Sequence, residues 1–182
     1  MSTTVLDQLK SLSRQRWTVA VLAAFAGQRG LRFAVLLHQI QIPISRESLS
    51  RTLQAAVKAG WIKRNPGHGH PLRPEYSAAE NGCDVMSVCQ RLIEAQANAG
   101  LTPENLGRWS LPILYLLEKG EDRFNALERT LQDASPRAIT QALKLLIAQA
   151  LIMREVVDGY PPVTRYRLTV KGRDLISGIL GG

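Results

Sequence analysis

The sequence predicts a mainly α-helical fold with small β-hairpins, of the α+β class, built from two similar domains in tandem. Three observations predict it: an internal repeat, apolar residues at helical spacing in each copy of that repeat, and a hairpin signal after the third helix of each copy. A chain of 182 residues with 45% apolar and 21% charged residues is long enough for two small globular domains. We place these domains at residues 1–98 and 99–182.

The repeat keeps one register over most of its length. Arg16-Trp17 recurs as Arg108-Trp109, and from Ser45 onward each match lies 90 residues further along the chain. Because chance rarely preserves one register across so many distinctive residues, we infer two copies of one unit. The matched pairs include Arg32-Phe33 with Arg123-Phe124, Leu53 with Leu143, Ile62 with Ile152, Arg64 with Arg154, Gly69 with Gly159, Pro71 with Pro161, Tyr76 with Tyr166 and Gly82 with Gly172.

Each copy opens with a buried helix that a glycine ends, followed by a shorter second helix. The second helix is predicted from Phe33 to Ile40 in the first copy and from Phe124 to Leu131 in the second. The first helix is predicted from apolar residues that share one helical face. These are Trp17, Val21, Leu22 and Phe25 before Gly27, and Trp109, Ile113, Leu114 and Leu117 before Gly120.

Ser45 and Ser135 stand where a third helix begins in each copy. A serine oxygen accepts a hydrogen bond from a backbone N–H of the first helical turn, and Pro136 is preorganised for the first helical position. Gly60 is a good C-terminal residue for the first of these helices. Each third helix leaves a polar face, formed by Arg46, Glu47, Ser50, Arg51 and Gln54 in the first copy and by Arg137, Thr140, Gln141 and Lys144 in the second.

A two-stranded hairpin follows the third helix, and a further helix from Cys83 to Ala97 joins the two copies. The second hairpin has Asp-Gly at its tip, a dipeptide typical of tight hairpin turns. The predicted strands are residues 61–64 and 75–77 around the turn-rich stretch 66–71 in the first copy, and residues 151–157 and 163–168 around Asp158-Gly159 in the second.

The charge of the chain favours a polyanionic partner. The formal net charge is +8 and the isoelectric point is about 10.0. Residues 1–91 carry 12 Lys and Arg against 5 Asp and Glu, whereas residues 92–182 carry 11 against 10. Neutralising phosphates releases counterions and strengthens binding, so DNA, RNA and an acidic membrane surface all fit the charge alone.

In each copy the second and third helices are joined by a turn and followed by a hairpin. This order is typical of a winged helix-turn-helix domain, in which the third helix of the copy enters the DNA major groove. Four short runs are distinctive: Arg-Trp and Arg-Phe in each copy, Ser-Pro-Arg-Ala-Ile-Thr-Gln-Ala-Leu at 135–143, and Pro-Pro-Val-Thr-Arg-Tyr-Arg-Leu-Thr-Val-Lys-Gly at 161–172. In these runs the chain resembles the HxlR family of bacterial transcription regulators, over residues 16–95 and 108–180. The resemblance implies a cytoplasmic DNA-binding regulator whose ordinary members have one domain and act as homodimers.

Two such domains in one chain predict an intramolecular pseudo-dimer. Helices at Val5–Arg16 and Cys83–Gly107 would supply the contact that two chains share in ordinary members. We expect such a chain to meet two half-sites roughly 34 to 36 Å apart, which is one turn of DNA. Because the two recognition faces differ, the site is expected to be an imperfect palindrome. Further self-association is left open.

Two sets of side chains are predicted to contact double-stranded DNA. An arginine bonds guanine O6 and N7, a glutamine pairs with adenine N6 and N7, and cations on the hairpins (the wings) meet phosphates and fix orientation more than sequence. On the third helices these residues are Arg46, Ser50, Arg51, Gln54, Arg137, Thr140, Gln141 and Lys144. On or near the wings they are Lys63, Arg64, Arg73, Arg154, Arg165 and Arg167.

Other function classes fit the sequence less well. The alternative that keeps the fold is a winged-helix protein-interaction module in which only the basic first domain contacts DNA. RNA binding lacks the aromatic residues that stack on unpaired bases, since aromatic residues are only 5% of the chain. An enzyme is the weakest class, because no His-Glu-x-x-His, phosphate-binding glycine loop or nucleophile elbow occurs. No cofactor is predicted.

The histidines and cysteines carry no chemistry of their own in this interpretation. His68 and His70 have no third ligand close in sequence, and zinc sites usually need three protein ligands. Cys83 and Cys89 suit a reducing compartment, face apart on one helix and are expected in the core. No apolar run reaches the roughly 20 residues of a membrane span, so we expect a cytoplasmic protein.

Overall fold

The computed structural model describes residues 4–40, 42–66, 74–158, 160 and 162–180. The contacts within it form two compact units. The central unit is residues 17–94, and the composite unit combines residues 1–16 with residues 95–182. The predicted wing-tip histidines His68 and His70, the predicted DNA contact Arg73 and the turn residue Gly159 lie outside the described residues.

The order of elements is helix, helix, helix and hairpin in each copy, as the sequence predicts, so the mainly helical α+β class is confirmed. The elements in chain order are α1 (Val5–Leu12), α2 (Thr18–Ala23), β1 (Leu31–Arg32), α3 (Phe33–Gln39), α4 (Arg46–Lys58), β2 (Ile62–Asn65), β3 (Glu75–Ala78), α5 (Cys83–Asn98), α6 (Ser110–Glu118), α7 (Phe124–Thr130), α8 (Pro136–Ala148), β4 (Ile152–Val157), β5 (Val163–Leu168) and α9 (Val170–Leu180).

Two helix ends differ from the predicted ones. The N-terminal helix ends at Leu12 and not at Arg16. Helix α5 ends at Asn98 and not at Gly107, because Gly100 takes a left-handed backbone with φ +64° and turns the chain. A short 3-10 turn at Pro103–Asn105 lies in the remaining stretch.

Both third helices begin as the sequence predicts. The Ser45 side chain accepts a hydrogen bond from the Ser48 N–H at 3.1 Å, and Ser135 accepts one from the Ala138 N–H at 3.2 Å. Such a cap contributes about 1 kcal/mol to helix stability. The two third helices, α4 and α8, therefore begin at matching serines of the repeat.

The two third helices end with the same backbone geometry but with different residues. Gly60 follows α4 with φ +73°, and Ala150, its match 90 residues on, follows α8 with φ +54°. Among the described residues, Ala150 is the only non-glycine with positive φ. The backbone N–H of Ala150 donates to the Ile147 carbonyl oxygen at 2.9 Å, as that of Gly60 does to Val57 at 3.0 Å. The turn is therefore retained even where the residue disfavours it.

A third strand in the central unit is a feature that the sequence analysis did not predict. Strand β1 pairs antiparallel with β3, with Leu31 opposite Tyr76, so that the sheet order is β1-β3-β2. In the composite unit, β4 and β5 form a two-stranded hairpin, and the Tyr166 N–H donates to the Asp122 carbonyl oxygen at 2.8 Å where the extra strand would lie. Two residues are too short to show a strand period in sequence.

The core of the composite unit is built around α6, whose apolar side chains are almost all buried. Helices α8 and α9 and strand β5 pack against it. Helix α1 does so too: Leu9 and Leu12 are buried, and the Lys10 Nζ lies 3.4 Å from an Asp133 carboxylate oxygen. A segment that precedes the first copy in sequence thus folds onto the second copy. The predicted domain boundary after residue 98 stays a prediction.

The cysteines divide between core and surface. Cys89 is buried as predicted, but Cys83 is exposed because it is the first residue of α5, where its side chain leaves the packed face. Burial raises the pKa of the Cys89 thiol to about 12. Within the described part of the chain, no helix is both long and apolar enough to cross a membrane.

Candidate nucleic-acid interface

Helix α4 presents the polar face that the sequence predicts. Its apolar side chains, Leu49 and Leu53, are fully buried, while Arg46, Arg51 and Gln54 are exposed and Ser50 is half-buried. This division follows from the helical spacing of the apolar positions. The side chains with hydrogen-bonding groups suited to base edges therefore lie on the solvent side of α4.

One cation of this face is paired within the helix. An Arg51 Nη2 lies 3.6 Å from a Glu47 carboxylate oxygen, one helical turn earlier, with the two side chains 62% and 81% exposed. An exposed pair at this spacing contributes about 0.3 to 0.5 kcal/mol. Arg51 can therefore exchange Glu47 for another anion at little cost.

Helix α8 presents its predicted face without an acidic residue. Arg137, Thr140, Gln141 and Lys144 are all exposed. The Thr140 hydroxyl donates to the Pro136 carbonyl oxygen at 2.9 Å, and its oxygen can still accept a hydrogen bond. The helix contains no Asp or Glu between Pro136 and Ala148, so both of its cations lack a partner on the same helix.

The first wing carries cations on its outer strand. Lys63 and Arg64 are exposed on β2, opposite Ser77 and Tyr76 of β3. Neither makes an ion pair with any residue that the structure describes. They are available for an external anion.

The second wing holds its cations in internal contacts. The Arg165 Nη1 lies 2.6 Å from an Asp122 carboxylate oxygen, and the two side chains are 34% and 24% exposed. The Arg167 Nε lies 2.7 Å from a carboxylate oxygen of Glu155 on the facing strand. Arg154 donates more weakly, from Nη2 to the Thr164 hydroxyl at 3.4 Å.

The two copies therefore distribute charge in opposite ways. Within the described residues of the first copy, Arg51 on the helix has an ion pair and Lys63 and Arg64 on the wing have none. In the second copy Arg165 and Arg167 on the wing have ion pairs, and no described residue forms an ion pair with Arg137 or Lys144 on the helix. The sequence accounts for the difference at the wing, because the residue 90 positions before Glu155 is Asn65 and the residue 90 positions before Arg165 is Glu75. The duplicated faces are alike in geometry but not in electrostatics.

A groove in the second copy was missed by the sequence analysis. It has a volume of about 630 Å³ and lies between α7 and the start of β5, with Arg123 and Arg129 in its wall. The repeat analysis matched Arg123 with Arg32 as a feature of the duplication, but nothing in the sequence indicates that these arginines meet residues 162–164. The two segments are too far apart in sequence for periodicity to relate them.

Comparison with known families and proteins gives one consistent result. Residues 12–100 and 106–180 each match the family described as HxlR-like helix-turn-helix. An uncharacterised HTH-type transcriptional regulator of Methanothermobacter thermautotrophicus is 36% identical over 70 residues, which are 38% of this chain and 53% of that protein. In Bacillus subtilis, the uncharacterised HTH-type transcriptional regulators YvaP and YtcD are 35% and 36% identical over 74 residues, 41% of this chain and 68% and 58% of theirs.

The matched regions of these relatives have the length of one copy of the repeat, and they span about half to two thirds of each relative. The two separate family matches confirm the tandem arrangement inferred from the repeat. They also agree with the prediction of a chain that is not an enzyme. The chain belongs to the HxlR-like helix-turn-helix family and carries two copies of its domain in tandem.

Proposed function

We propose that the chain is a sequence-specific, double-stranded DNA-binding transcriptional regulator. The observation that carries the proposal is the pair of exposed polar faces on α4 and α8, each the third helix of a family domain and each capped at an equivalent serine. The net charge of +8 supports a polyanionic partner. A cytoplasmic location follows from this function.

Direct readout would come from the arginines and glutamines of the two faces. Arg51 and Arg137 have the forked geometry that bonds guanine O6 and N7, and Gln54 and Gln141 have the amide that pairs with adenine. Lys144 donates to an acceptor on a base or a phosphate. Arg46, Ser50 and Thr140 are placed on the same faces for base or phosphate contacts.

The wings would supply orientation more than sequence. Lys63 and Arg64 can bind phosphates without first breaking an ion pair, because no described residue forms one with them. Arg165 and Arg167 first have to leave Asp122 and Glu155. We therefore propose stronger wing contacts in the first copy and stronger helix contacts in the second.

We also propose that the two copies act as an intramolecular pseudo-dimer on two half-sites. One turn of DNA, roughly 34 to 36 Å, separates the centres of such half-sites. The different residues on α4 and α8 support an imperfect palindrome. Further self-association stays a prediction.

The experiment is selection of bound duplexes from a randomised pool with the full chain, followed by titration of the enriched duplex and a shuffled one at salt from about 50 to 200 mM. We expect the enriched duplex to bind at least about 10³-fold more tightly, with a salt slope that corresponds to about six to ten phosphates. Equal affinity for the two duplexes would contradict the proposal.

Single variants separate base readout from backbone binding. Arg51→Ala should lose about 1 to 3 kcal/mol at one base position, whereas Lys63→Ala should weaken all duplexes alike and flatten the salt slope. Arg173→Ala on α9 serves as the matched control for loss of one exposed positive charge outside the third helices and the wings. An equal loss on every duplex for Arg51→Ala would remove it from base readout.

The alternative function is supported by one observation. Two of the second wing's cations, Arg165 and Arg167, are held in ion pairs, and residues 92–182 are nearly neutral overall. Both features suit a domain that docks on a protein while the first domain alone contacts DNA. Under that alternative, Arg137→Ala and Lys144→Ala leave DNA affinity unchanged, and the footprint is shorter than one helical turn. Under the main proposal both variants weaken binding.

A further inference from the structure

The groove between α7 and β5 of the second copy has a mixed wall. Arg123, Phe124 and Arg129 line one side, and Pro162, Val163 and Thr164 line the other. Its volume of about 630 Å³ is that of a binding cleft rather than a packing defect. All of these residues belong to the composite unit, so the groove is formed by the second copy alone.

The positive charge in this groove is not compensated by its neighbours. None of the described residues in its wall is acidic. Three acidic residues lie close to these arginines in sequence: Glu121, Asp122 and Glu128. Asp122 pairs with Arg165 at 2.6 Å and Glu121 accepts a hydrogen bond from the Thr130 hydroxyl at 2.7 Å, whereas Glu128, next to Arg129, does not line the groove. Neither Arg123 nor Arg129 forms an ion pair with any other part of the described chain.

Arg129 is oriented along its helix. Its Nε donates to the Asn125 carbonyl oxygen at 3.3 Å, one turn earlier, which draws the guanidinium back toward the start of α7, where Arg123 lies. The Nη groups keep their remaining donors for an external acceptor. Two guanidinium groups on one side of a cleft and apolar carbons of Pro162 and Val163 on the other suit a ligand that alternates anionic and apolar parts.

We propose that this groove seats the sugar-phosphate backbone of DNA, with Arg123 and Arg129 on phosphates and the apolar wall against deoxyribose. The inference rests on the proposed function and adds two contact residues to it. In helix-turn-helix proteins the first helix of the pair crosses the DNA backbone while the second enters the groove, and α7 is that first helix. A wing strand beside it completes the channel.

The first copy is built differently at the matching position. Arg32 matches Arg123, but His38 stands where the second copy has Arg129, 91 residues on, and His38 is exposed on α3. The second copy therefore holds one more permanent positive charge at this place. We expect it to bind the backbone of its half-site more strongly than the first copy does there.

The test uses reciprocal variants of the full chain on the duplex enriched by pool selection, at pH 8. Arg129→Gln should lower affinity about five- to tenfold at 0.1 M salt and reduce the salt slope by about 0.9, with the preference among sequences unchanged. Arg123→Gln should act in the same way. His38→Arg should change the slope by a similar amount in the opposite direction.

Arg173→Gln is the matched control, because Arg173 is an exposed cation of the same copy on α9, outside the groove. Thermal unfolding of each variant shows whether its fold is intact, and Arg123→Gln tests the same groove if Arg129→Gln fails to fold. The inference is overturned if Arg129→Gln matches Arg173→Gln, or if it changes the preference among sequences. If the wild type does not prefer the enriched duplex at all, the proposed function itself has failed.

A small anion is the other outcome of the test. Inorganic phosphate and benzoate are added separately to the wild type and to Arg129→Gln without DNA. Stabilisation of the wild type alone, at millimolar concentration and with an unchanged DNA salt slope in Arg129→Gln, would assign the groove to a free anionic ligand and overturn the DNA assignment.

Discussion

The left-handed residue after α8 leads to a specific stability prediction: Ala150→Gly should stabilise the protein. Ala150 holds φ +54°, which costs an L-residue about 1 to 2 kcal/mol. It is kept there because the turn makes its own hydrogen bonds and because the Thr169 hydroxyl donates to the Ala150 carbonyl oxygen at 2.7 Å. Glycine removes this strain, but it also makes the unfolded chain more flexible, which lowers the free energy of unfolding by about 0.4 to 1 kcal/mol.

The difference between these two terms is about 0 to 1.6 kcal/mol, with a middle value of about 0.8 kcal/mol, which corresponds to roughly 2 to 3 °C in Tm for a chain of this size. The reverse substitution, Gly60→Ala, should destabilise by a similar amount, since nothing lies within 4 Å of the added Cβ and backbone strain is the main effect. The two variants therefore test the same cause, backbone strain at a left-handed residue, and should change stability in opposite directions.

The assay is urea denaturation of the full chain followed by circular dichroism. Ala148→Gly, at the exposed last residue of α8, is the control, because glycine inside a helix should lower stability by up to about 1 kcal/mol. If the two units unfold separately, Ala150→Gly should shift only the transition of the composite unit and Gly60→Ala only that of the central unit. An Ala150→Gly protein no more stable than the wild type would refute the reasoning.

Three other predictions concern close packing, an ion pair and a thiol. Gly82→Ala and Gly172→Ala should each destabilise by about 2 to 4 kcal/mol in denaturation, because a Cβ would overlap the carbonyl oxygen of Trp61 or Leu151; wild-type stability in either variant would contradict this. Asp122→Asn should release Arg165 from its ion pair. Under the proposed function, the variant should bind DNA more tightly, and the slope of log affinity against log salt should become steeper by about 0.9. Glu104→Gln, which removes an exposed acidic residue outside the interface, is the control. The pKa of about 12 keeps the buried Cys89 thiol neutral at pH 8. A thiol reagent should therefore modify only Cys83 in the folded protein and both cysteines in denaturant. Rapid modification of the folded Cys83→Ser variant would contradict this, because it would show that Cys89 is accessible.

Local patterns in the sequence predicted the helices, the hairpins and the exposed polar faces of α4 and α8. The serine caps, the apolar spacing of α4 and α8 and the hairpin strands each depend on residues within a few positions of one another. The same reasoning relates Arg51 to Glu47, which are one helical turn apart. Features of this kind are fixed by backbone geometry that any helix or hairpin shares.

The features that the sequence did not predict depend on distant segments. Strand β1 is only two residues long and exists because β3 lies beside it. The Arg165–Asp122 ion pair joins residues 43 positions apart, and the groove joins α7 to a strand more than 30 residues later. The repeat did match Gly82 with Gly172, but the reason for a glycine, the approach of a backbone carbonyl, appears only in the structure.

The duplication gives a physical meaning to these differences between the copies. In a homodimer every substitution appears at both half-sites, whereas here Arg129 and His38, or Glu155 and Asn65, change one copy without the other. Under the proposed function, each domain can therefore set its own balance of base and phosphate contacts. Linkage also makes the second domain's binding intramolecular, so its effective concentration depends on the connecting segment and not on the amount of protein. A weak contact in one copy, such as the paired wing of the second, is then tolerated because the other copy holds the complex together.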